Sequence, residues 1–115
     1  MEELQYILAQ RIGVFYKNQM WRRDMFDKIA GYYCSIDMIE SLTYSMWNAR
    51  IVLIDGTVIT FVEADNRSRS CRFSKVIIQP EVNQAIIDGV IRPCLPFAST
   101  QCYVVDIYDN KIEHI

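Results

Sequence analysis

Residues 49–64, ARIVLIDGTVITFVEA, decide how this 115-residue chain is expected to fold. Two runs rich in β-branched residues flank Asp55-Gly56, and a two-residue Asp-Gly loop is the strongest short-range signal for a β-hairpin. The type I′ turn that such a loop favours needs positive φ at both central residues. The stretch therefore predicts two antiparallel strands joined by a tight turn at Asp55 and Gly56.

The residues that follow this hairpin predict another strand and then a helix. RFSKVII (72–78) is a strand pattern that Pro80 ends, because proline has no N–H for the ladder. EVNQAIIDGVI (81–91) spaces its apolar residues three and four apart after that proline, which indicates a helix. Pro93 is expected to stop this helix.

The last part of the chain predicts a second hairpin. QCYVVDIY (101–108) has the alternation and the β-branched residues of a strand. Asp109-Asn110 is a typical turn sequence, and the residues after it predict a short final strand.

The residues before position 49 predict three helices. An amphipathic first helix is indicated by apolar residues at three- and four-residue spacing, namely Leu4, Ile7, Leu8, Ile12 and Phe15. Asp24 is expected to cap a shorter second helix, which Gly31 ends. Ser35 is expected to cap a third helix that leaves for the sheet at Trp47. Its apolar face would consist of Ile36, Ile39, Leu42, Thr43 and Met46.

Together these segments predict an α+β fold, because helices and strands come in separate blocks. The N-terminal helices of residues 1–48 are expected to pack on a mostly antiparallel sheet of about five strands, with one inserted helix, formed by residues 49–115. No linker, repeat or low-complexity segment divides the chain, and its length is close to the commonest size of one domain. We therefore expect a single domain over residues 1–115.

The net charge and the cysteines of the chain indicate where the protein is located and which kinds of binding site it can have. The net charge of −2 is not that of a general nucleic-acid binder, so any anion site would be local. The four cysteines form no CxxC pair, which fits neither a zinc site nor a compact disulfide framework. A secretory signal and a run of ~20 apolar residues are both absent from the sequence. These features predict a cytoplasmic protein without a membrane span, in a cell or in a phage-infected host.

Residues 49–97 contain three segments whose order carries a family resemblance. The segments are ARIVLIDGTVITFVEADN (49–66), RSRSCRFSKVIIQP (67–80) and NQAIIDGVIRPCLP (83–96). This order resembles the Walker B half of the ATPase domain of phage terminase large subunits. The resemblance implies a hairpin turn at residues 55–57, a polar loop at 69–72, and at 75–78 the strand that carries the Walker B acids in that family.

The chain departs from this family at the residues that hydrolyse ATP. It has no GxxxxGK[ST] loop, whose backbone N–H groups, lysine and hydroxyl would hold phosphates and magnesium. Gln79-Pro80 stands where the acidic pair would be, and neither side chain can bind the metal or activate water. Either hydrolysis has been lost from an ancestral domain, or the likeness is limited to a hairpin and a strand. Neither case supports ATPase activity.

Basic residues cluster in and after NRSRSCR (66–72). Arg67, Arg69, Arg72 and Lys75 place four positive charges within nine residues of an acidic chain. Guanidinium groups bind phosphate or carboxylate in a bidentate manner, so this loop is a candidate anion or partner site. The alternative is that the charges keep an edge strand from pairing with other chains.

Aromatic residues give two further candidate contacts. Trp21 next to Arg22 and Arg23 is a pattern that stacks on single-stranded nucleic acid, although a tryptophan here more often closes the core between helices. Tyr32-Tyr33 is expected to be an exposed aromatic contact, because tyrosine and tryptophan are enriched at interfaces.

The sequence shows no recognisable catalytic, metal or cofactor motif. The single histidine, His114, is the penultimate residue, so a nucleophile–histidine pair is not expected. A residual enzyme would have to use Glu63, Asp65 or Asp106.

We therefore expect a small non-enzymatic binding protein without a cofactor, of phage or mobile-element origin. It would act as an inhibitor or adaptor of a larger protein or nucleoprotein partner. The alternative is a nucleotide- or oligonucleotide-binding protein that sequesters a phosphate-containing ligand, holding its phosphates with the arginine-rich loop and stacking a tyrosine or Trp21 on the base. A homodimer through strand 101–108 or through the first helix is a further hypothesis.

Overall fold

The protein forms one mixed β-sheet with a long helix on one face and a shorter helical segment on the other. The computed structural model describes residues 10–65, 72–96 and 101–115. The strands are Arg11–Tyr16 (β1), Ile39–Tyr44 (β2), Ala49–Leu53 (β3), Val58–Glu63 (β4), Lys75–Ile78 (β5), Cys102–Asp106 (β6) and Lys111–His114 (β7). The long helix α1 spans Gln19–Ser35. The segment α2, residues 84–94, is α-helical at Gln84–Ile86, π-helical at Ile87–Ile91 and 3₁₀ at Arg92–Cys94.

The seven strands lie in the order β2-β3-β4-β1-β5-β6-β7. The central strand β1 pairs in parallel with β4 and β5, and β5 pairs in parallel with β6. Antiparallel pairs complete the sheet, with β3 and β2 beyond β4 and with β7 beyond β6. We call the end of the sheet at which β1, β4, β5 and β6 finish the carboxyl end. Strand β2 also finishes there, because two antiparallel pairings separate it from β4.

Two hydrophobic cores form on the two faces of the sheet, and β1 contributes to both. The core under α1 contains Ile12, Val14, Tyr16, Trp21, Met25, Phe26, Ala30, Ala49, Ile51, Leu53, Ile59 and Phe61. The core under α2 contains Phe15, Val76, Ile78, Val82, Ile87, Ile91, Cys94 and Cys102. Because neighbouring residues of β1 point to opposite faces and both faces are covered, β1 is an almost continuous apolar run.

Local side-chain and backbone geometry sets the bounds of α1. The helix begins after Asn18, whose side-chain oxygen accepts a hydrogen bond of 2.9 Å from the amide of Trp21. It passes through Gly31, where an added Cβ would meet nothing within 4 Å. The chain leaves the helix at Asp37, which has a φ of 55°. In the described part of the chain, no helix is long and apolar enough to cross a membrane.

The predicted fold was wrong in its helices and in the character of its sheet, although the broad α+β class holds. Residues 11–16 form β1 instead of the end of a first helix, and residues 4–9 of that predicted helix lie outside the described residues. One helix replaces the predicted second helix, and β2 replaces the predicted third. Within the described residues the sheet has seven strands with a parallel centre, where about five mostly antiparallel strands were expected.

The structure contains the hairpin predicted at residues 49–64, with a different turn. Strands β3 and β4 pair antiparallel, and the amide of Leu53 donates to the carbonyl oxygen of Thr57 at 2.9 Å. The loop between them therefore has three residues, and of these only Gly56 has positive φ, at 91°. This is the geometry of a type I turn followed by a left-handed glycine, and not the predicted type I′ turn.

The C-terminal predictions agree with the structure within a few residues. The expected strand 72–78 is present as β5, and the expected helix 81–91 as α2. The second hairpin is formed by β6 and β7, which pair antiparallel. Asn110 in the turn between them has a φ of 54°.

Candidate interaction surface at the carboxyl end of the sheet

The turn between β2 and β3 carries the most exposed aromatic side chain of the described residues. We call residues 45–48 the Trp47 turn. It is closed by a hydrogen bond of 2.7 Å from the amide of Ser45 to the carbonyl oxygen of Asn48, and by one of 3.1 Å from the amide of Asn48 to Ser45 Oγ. Trp47 is 90% exposed and Met46 is 71% exposed. The turn therefore presents an apolar pair to the surroundings on an ordered backbone.

A buried arginine attaches the Trp47 turn to α1. Arg22 is 2% exposed, and its Nη2 donates to the carbonyl oxygen of Ser45 at 2.8 Å. Its Nη1 donates to Gln19 Oε1 at 3.0 Å. The guanidinium lies over the rings of Tyr16 and Tyr44, at 5.2 and 4.7 Å from their centroids. These two cation–π contacts stabilise a charge that is removed from water.

The tyrosines around Arg22 are themselves held by the core. Tyr44 packs edge-on against Phe26 of α1 at a centroid distance of 4.8 Å, and Arg23 lies over its ring at 5.6 Å. Burial raises the pKa of Tyr16, and the nearby positive charge of Arg22 opposes that rise. The turn, the end of β1 and the first turns of α1 thus form one connected unit.

The junction between β1 and α1 is closed by the buried side chain of Gln79. Its Oε1 accepts hydrogen bonds from the amides of Lys17 at 2.6 Å and Asn18 at 3.2 Å. Strand β1 leads to α1 on one face and β5 leads to α2 on the other, and ligands of open α/β sheets bind in the crevice at such a point. In this protein the side-chain oxygen of Gln79 already accepts hydrogen bonds from the amides of Lys17 and Asn18, which face this crevice.

The structure separates the predicted site residues between the two ends of the sheet. Trp21 is 1% exposed and lies in the core, as the second interpretation of that residue predicts, and Arg22 is buried beside it. Arg23 is exposed on the same end of α1. Arg72 is exposed and Lys75 is half-buried, but both lie at the opposite end, where β5 begins.

Tyr32 and Tyr33 are not brought to the Trp47 turn either. Tyr32 is exposed and Tyr33 is half-buried in the last turns of α1, with their rings edge to face at 5.0 Å. Burial raises the pKa of Tyr33. Arg67 and Arg69 lie outside the described residues. A common binding site for the full set stays a prediction.

The candidate catalytic carboxylates lie on different strands. Asp106 Oδ1 accepts hydrogen bonds from the amides of Tyr108 and Asp109 at 3.0 and 3.2 Å, so this carboxylate shapes the turn after β6. Glu63 ends β4 and precedes Asp65 by two residues. Two strands, β1 and β5, separate β4 from β6, which corresponds to about 14 Å across the sheet. Within residues 10–65, 72–96 and 101–115, no three His, Cys, Asp or Glu side chains are grouped to hold a metal ion.

The sequence analysis missed the residues of the Trp47 turn. It placed Trp47 where a helix leaves for the sheet, because the spacing of the apolar residues before it fits a helix. A usable signal was present in Ser45 and Asn48, which are typical turn residues and bracket Met46-Trp47. Two turn formers around two large apolar residues indicate an exposed apolar tip.

Comparison of the chain with protein-family models, with curated proteins and with solved structures finds no match. The resemblance of residues 49–97 to terminase ATPase domains therefore stays a prediction. The function has to be argued from the geometry of the chain itself.

Proposed function

We propose that the protein is a small non-enzymatic binding protein that inserts the Trp47 turn into an apolar pocket of a larger macromolecular partner. The observation that carries this proposal is the exposure of Trp47 on a turn that the buried Arg22 fixes to α1. Tryptophan and arginine dominate binding energies at protein interfaces, and a turn whose backbone is already fixed loses little conformational entropy on binding.

The chemistry of the turn supports a protein surface as the partner. Met46 beside Trp47 adds a flexible apolar side chain, which suits a hydrophobic pocket better than a stack of bases. Arg22 has its guanidinium turned inward onto two tyrosine rings. Binding without chemistry makes the protein an inhibitor or adaptor of this partner, in the cytoplasm of a cell or of a phage-infected host.

A pair of matched variants tests the proposal. Wild type, Trp47→Ala and Ile112→Ala are immobilised and used to capture partners from extracts of the source organism, and each captured protein is then purified and titrated by calorimetry. Ile112 is the control because it is 72% exposed on β7, far from the turn. We expect Trp47→Ala to weaken binding at least about 30-fold, as for a hot-spot residue of about 2 kcal/mol, and Ile112→Ala to have little effect.

The same experiment can contradict the proposal. Equal affinity of wild type and Trp47→Ala for every captured protein would rule out the turn as the binding element. Trp47 is exposed, so its replacement should change the free energy of unfolding by no more than about 0.5 kcal/mol, and loss of binding cannot then come from unfolding.

The alternative partner is a nucleic acid, and the salt dependence of the affinity distinguishes it from a protein partner. A fluorescent single-stranded oligonucleotide would bind with an affinity that falls steeply between low and high salt, and Arg69→Ala would weaken it. No binding, or affinity that is flat with salt, supports a protein partner.

A further inference from the structure

The two outer strands of the sheet differ in their protection against pairing with another chain. Among the described strands, β2 and β7 each pair with one neighbour. Strand β7 has four residues and carries Lys111 and Glu113, and short charged edges resist association. Strand β2 has six residues, and Glu40 is its single charge. The outer edge of β2, which we call the β2 edge, is therefore the less protected one.

Exposed apolar side chains concentrate at the β2 edge. Of the ten exposed large hydrophobic residues in the described part of the chain, five lie on β2 or in the segments that adjoin its two ends, namely Ile36, Leu42, Tyr44, Met46 and Trp47, and a sixth, Ile54, lies in the β3–β4 turn. The amide of Ile54 donates to the carbonyl oxygen of Met38 at 2.9 Å, which places the β3–β4 turn beside the start of β2. Exposed apolar side chains concentrated along one edge in this way indicate an interaction surface.

The backbone of β2 directs hydrogen-bonding groups toward this edge. The bond from the Ser45 amide to Asn48 identifies these two residues as a hydrogen-bonded antiparallel pair. Because such pairs alternate along the ladder, Leu42 and Tyr44 turn their N–H and C=O groups away from β3. The register irregularity between Ile39 and Ser41 lies at the other end of the strand and leaves residues 41–44 regular.

We propose that β2 pairs antiparallel with β2 of a second copy of the chain, about a two-fold axis that passes through Leu42. In this register Leu42 faces Leu42 of the second copy, and Ser41 faces Thr43 of the second copy. The two hydroxyl side chains form a favourable cross-strand pair, and the single charge, Glu40, lies at the register irregularity outside these pairs, so the regular part of the strand is complementary to itself. The outward N–H and C=O groups of Leu42 in both strands are satisfied in the same register.

This assignment replaces the two dimer seams that the sequence suggested. Strand β6, within the expected segment 101–108, lies between β5 and β7, so both of its edges are already used. Residues 11–16 of the expected first helix form the centre of the sheet. The dimer through β2 uses neither segment 101–108 nor the expected first helix. It also forms without the larger partner that the proposed function requires. It would display two Trp47 turns about 33 Å apart, since each lies five residues from the axis.

Disulfide trapping tests the register. Leu42→Cys is combined with Cys34→Ser, because Cys34 is exposed and could cross-link by itself. Residues opposite each other in a hydrogen-bonded pair have Cα atoms about 5.5 Å apart, which is within the range of a disulfide. Mild oxidation should give a covalent dimer of this variant. Ile112→Cys with Cys34→Ser is the matched control, and an equal yield of its dimer would contradict the proposed register.

Light scattering after size exclusion tests the dimer itself. We expect wild type to have twice the chain mass of 13.5 kDa, Leu42→Lys to have the mass of one chain, and Ile112→Lys to remain a dimer. A specific dimer should have a dissociation constant below about 0.5 mM. A wild type that is still monomeric at this concentration would overturn the inference. So would a Leu42→Lys variant that stays dimeric. Trp47→Ala should stay dimeric, which separates failure of this inference from failure of partner binding.

Discussion

Arg22 of α1 donates a hydrogen bond of 2.8 Å to the carbonyl oxygen of Ser45, 23 residues further along the chain. The bond connects the start of the helix to the Trp47 turn at the edge of the sheet. Its donor is a buried charge, and Arg22 Nε has no hydrogen-bond partner among the described residues. The rings of Tyr16 and Tyr44 therefore supply much of what keeps the guanidinium stable inside the protein.

Replacement of Arg22 should lower the free energy of unfolding by an amount that depends on the volume of the new side chain. Arg22→Ala removes a buried side chain and should lower the free energy of unfolding by about 2–4 kcal/mol. Arg22→Met keeps most of the volume without burying a charge, so its loss should be smaller. Arg23→Ala, the neighbouring exposed control, should cost less than about 1 kcal/mol. Urea unfolding measures all three, and equal losses for Arg22→Ala and Arg23→Ala would contradict the structural role of Arg22.

Loss of the Gln79 acceptor should loosen the junction between β1 and α1. Gln79→Met has a similar volume but leaves the amides of Lys17 and Asn18 without their acceptor, which should cost about 1–3 kcal/mol. Hydrogen exchange of these two amides should become faster in the variant. The amide of Ala64, which donates to Tyr16, is the internal control. Unchanged protection of Lys17 and Asn18 would show that Gln79 does not hold this junction.

Gly13 is required by the close approach of Phe73 to the central strand. A Cβ at Gly13 would lie 2.6 Å from Cδ2 of Phe73, so Gly13→Ala forces the ring to move and should cost about 1–3 kcal/mol. Phe73→Leu in the same chain should recover part of the loss. A double-mutant cycle measures this coupling, and strictly additive losses would contradict the predicted clash.

The hydrogen bond between Tyr108 and Asp24 should make stability sensitive to alkaline pH. The Tyr108 hydroxyl donates to Asp24 Oδ2 at 2.7 Å, and this bond raises the pKa of Tyr108 above its ordinary value of 10.0. A group whose pKa is raised by folding stabilises the fold fully below its unfolded pKa and loses that effect as pH rises through its folded pKa. The bond should therefore stabilise the protein fully below pH 10 and lose this effect progressively as pH rises above 10.

Comparison with Tyr108→Phe isolates this effect from other tyrosines. Tyr16 and Tyr33 also have raised pKa values, so wild-type stability alone would report several groups. The difference in free energy of unfolding between wild type and Tyr108→Phe should be constant from pH 7 to about pH 9.5 and shrink at higher pH. A difference that persists unchanged to about pH 11.5 would show that the bond does not depend on the phenol proton.

Local signals in the sequence were sufficient for the hairpins but not for the sheet. Asp55-Gly56 and Asn110 act through their own backbone conformations, so the turns at these residues could be predicted without knowledge of the rest of the chain. The spacing of Ile12 and Phe15 fits a helix equally well as a strand covered on both faces. Only the pairing of β1 with β4 and β5 decides between the two, and that pairing is not local.

The candidate surface was harder to predict for the same reason. Arg22 looks like an exposed basic residue beside a tryptophan, and it is buried because Tyr16 and Tyr44 approach it from two separate strands. Gly31 looks like a helix stop, yet α1 continues through it to Ser35, so a residue of low helix propensity is tolerated there. At Arg22, contacts between distant parts of the chain override the local pattern.

The central position of β1 has a consequence for synthesis of the protein. Strand β1 leaves the ribosome before its two neighbours and pairs with residues 47 and 63 positions later, as Arg11 does with Val58 and Ile12 with Lys75. Contacts of such sequence separation make folding slow. Until residue 63 has emerged, the nascent chain carries a strand that is apolar on both faces and has no neighbour, and until residue 78 has emerged one of its edges stays unpaired, so this segment should be a binding site for chaperones during translation.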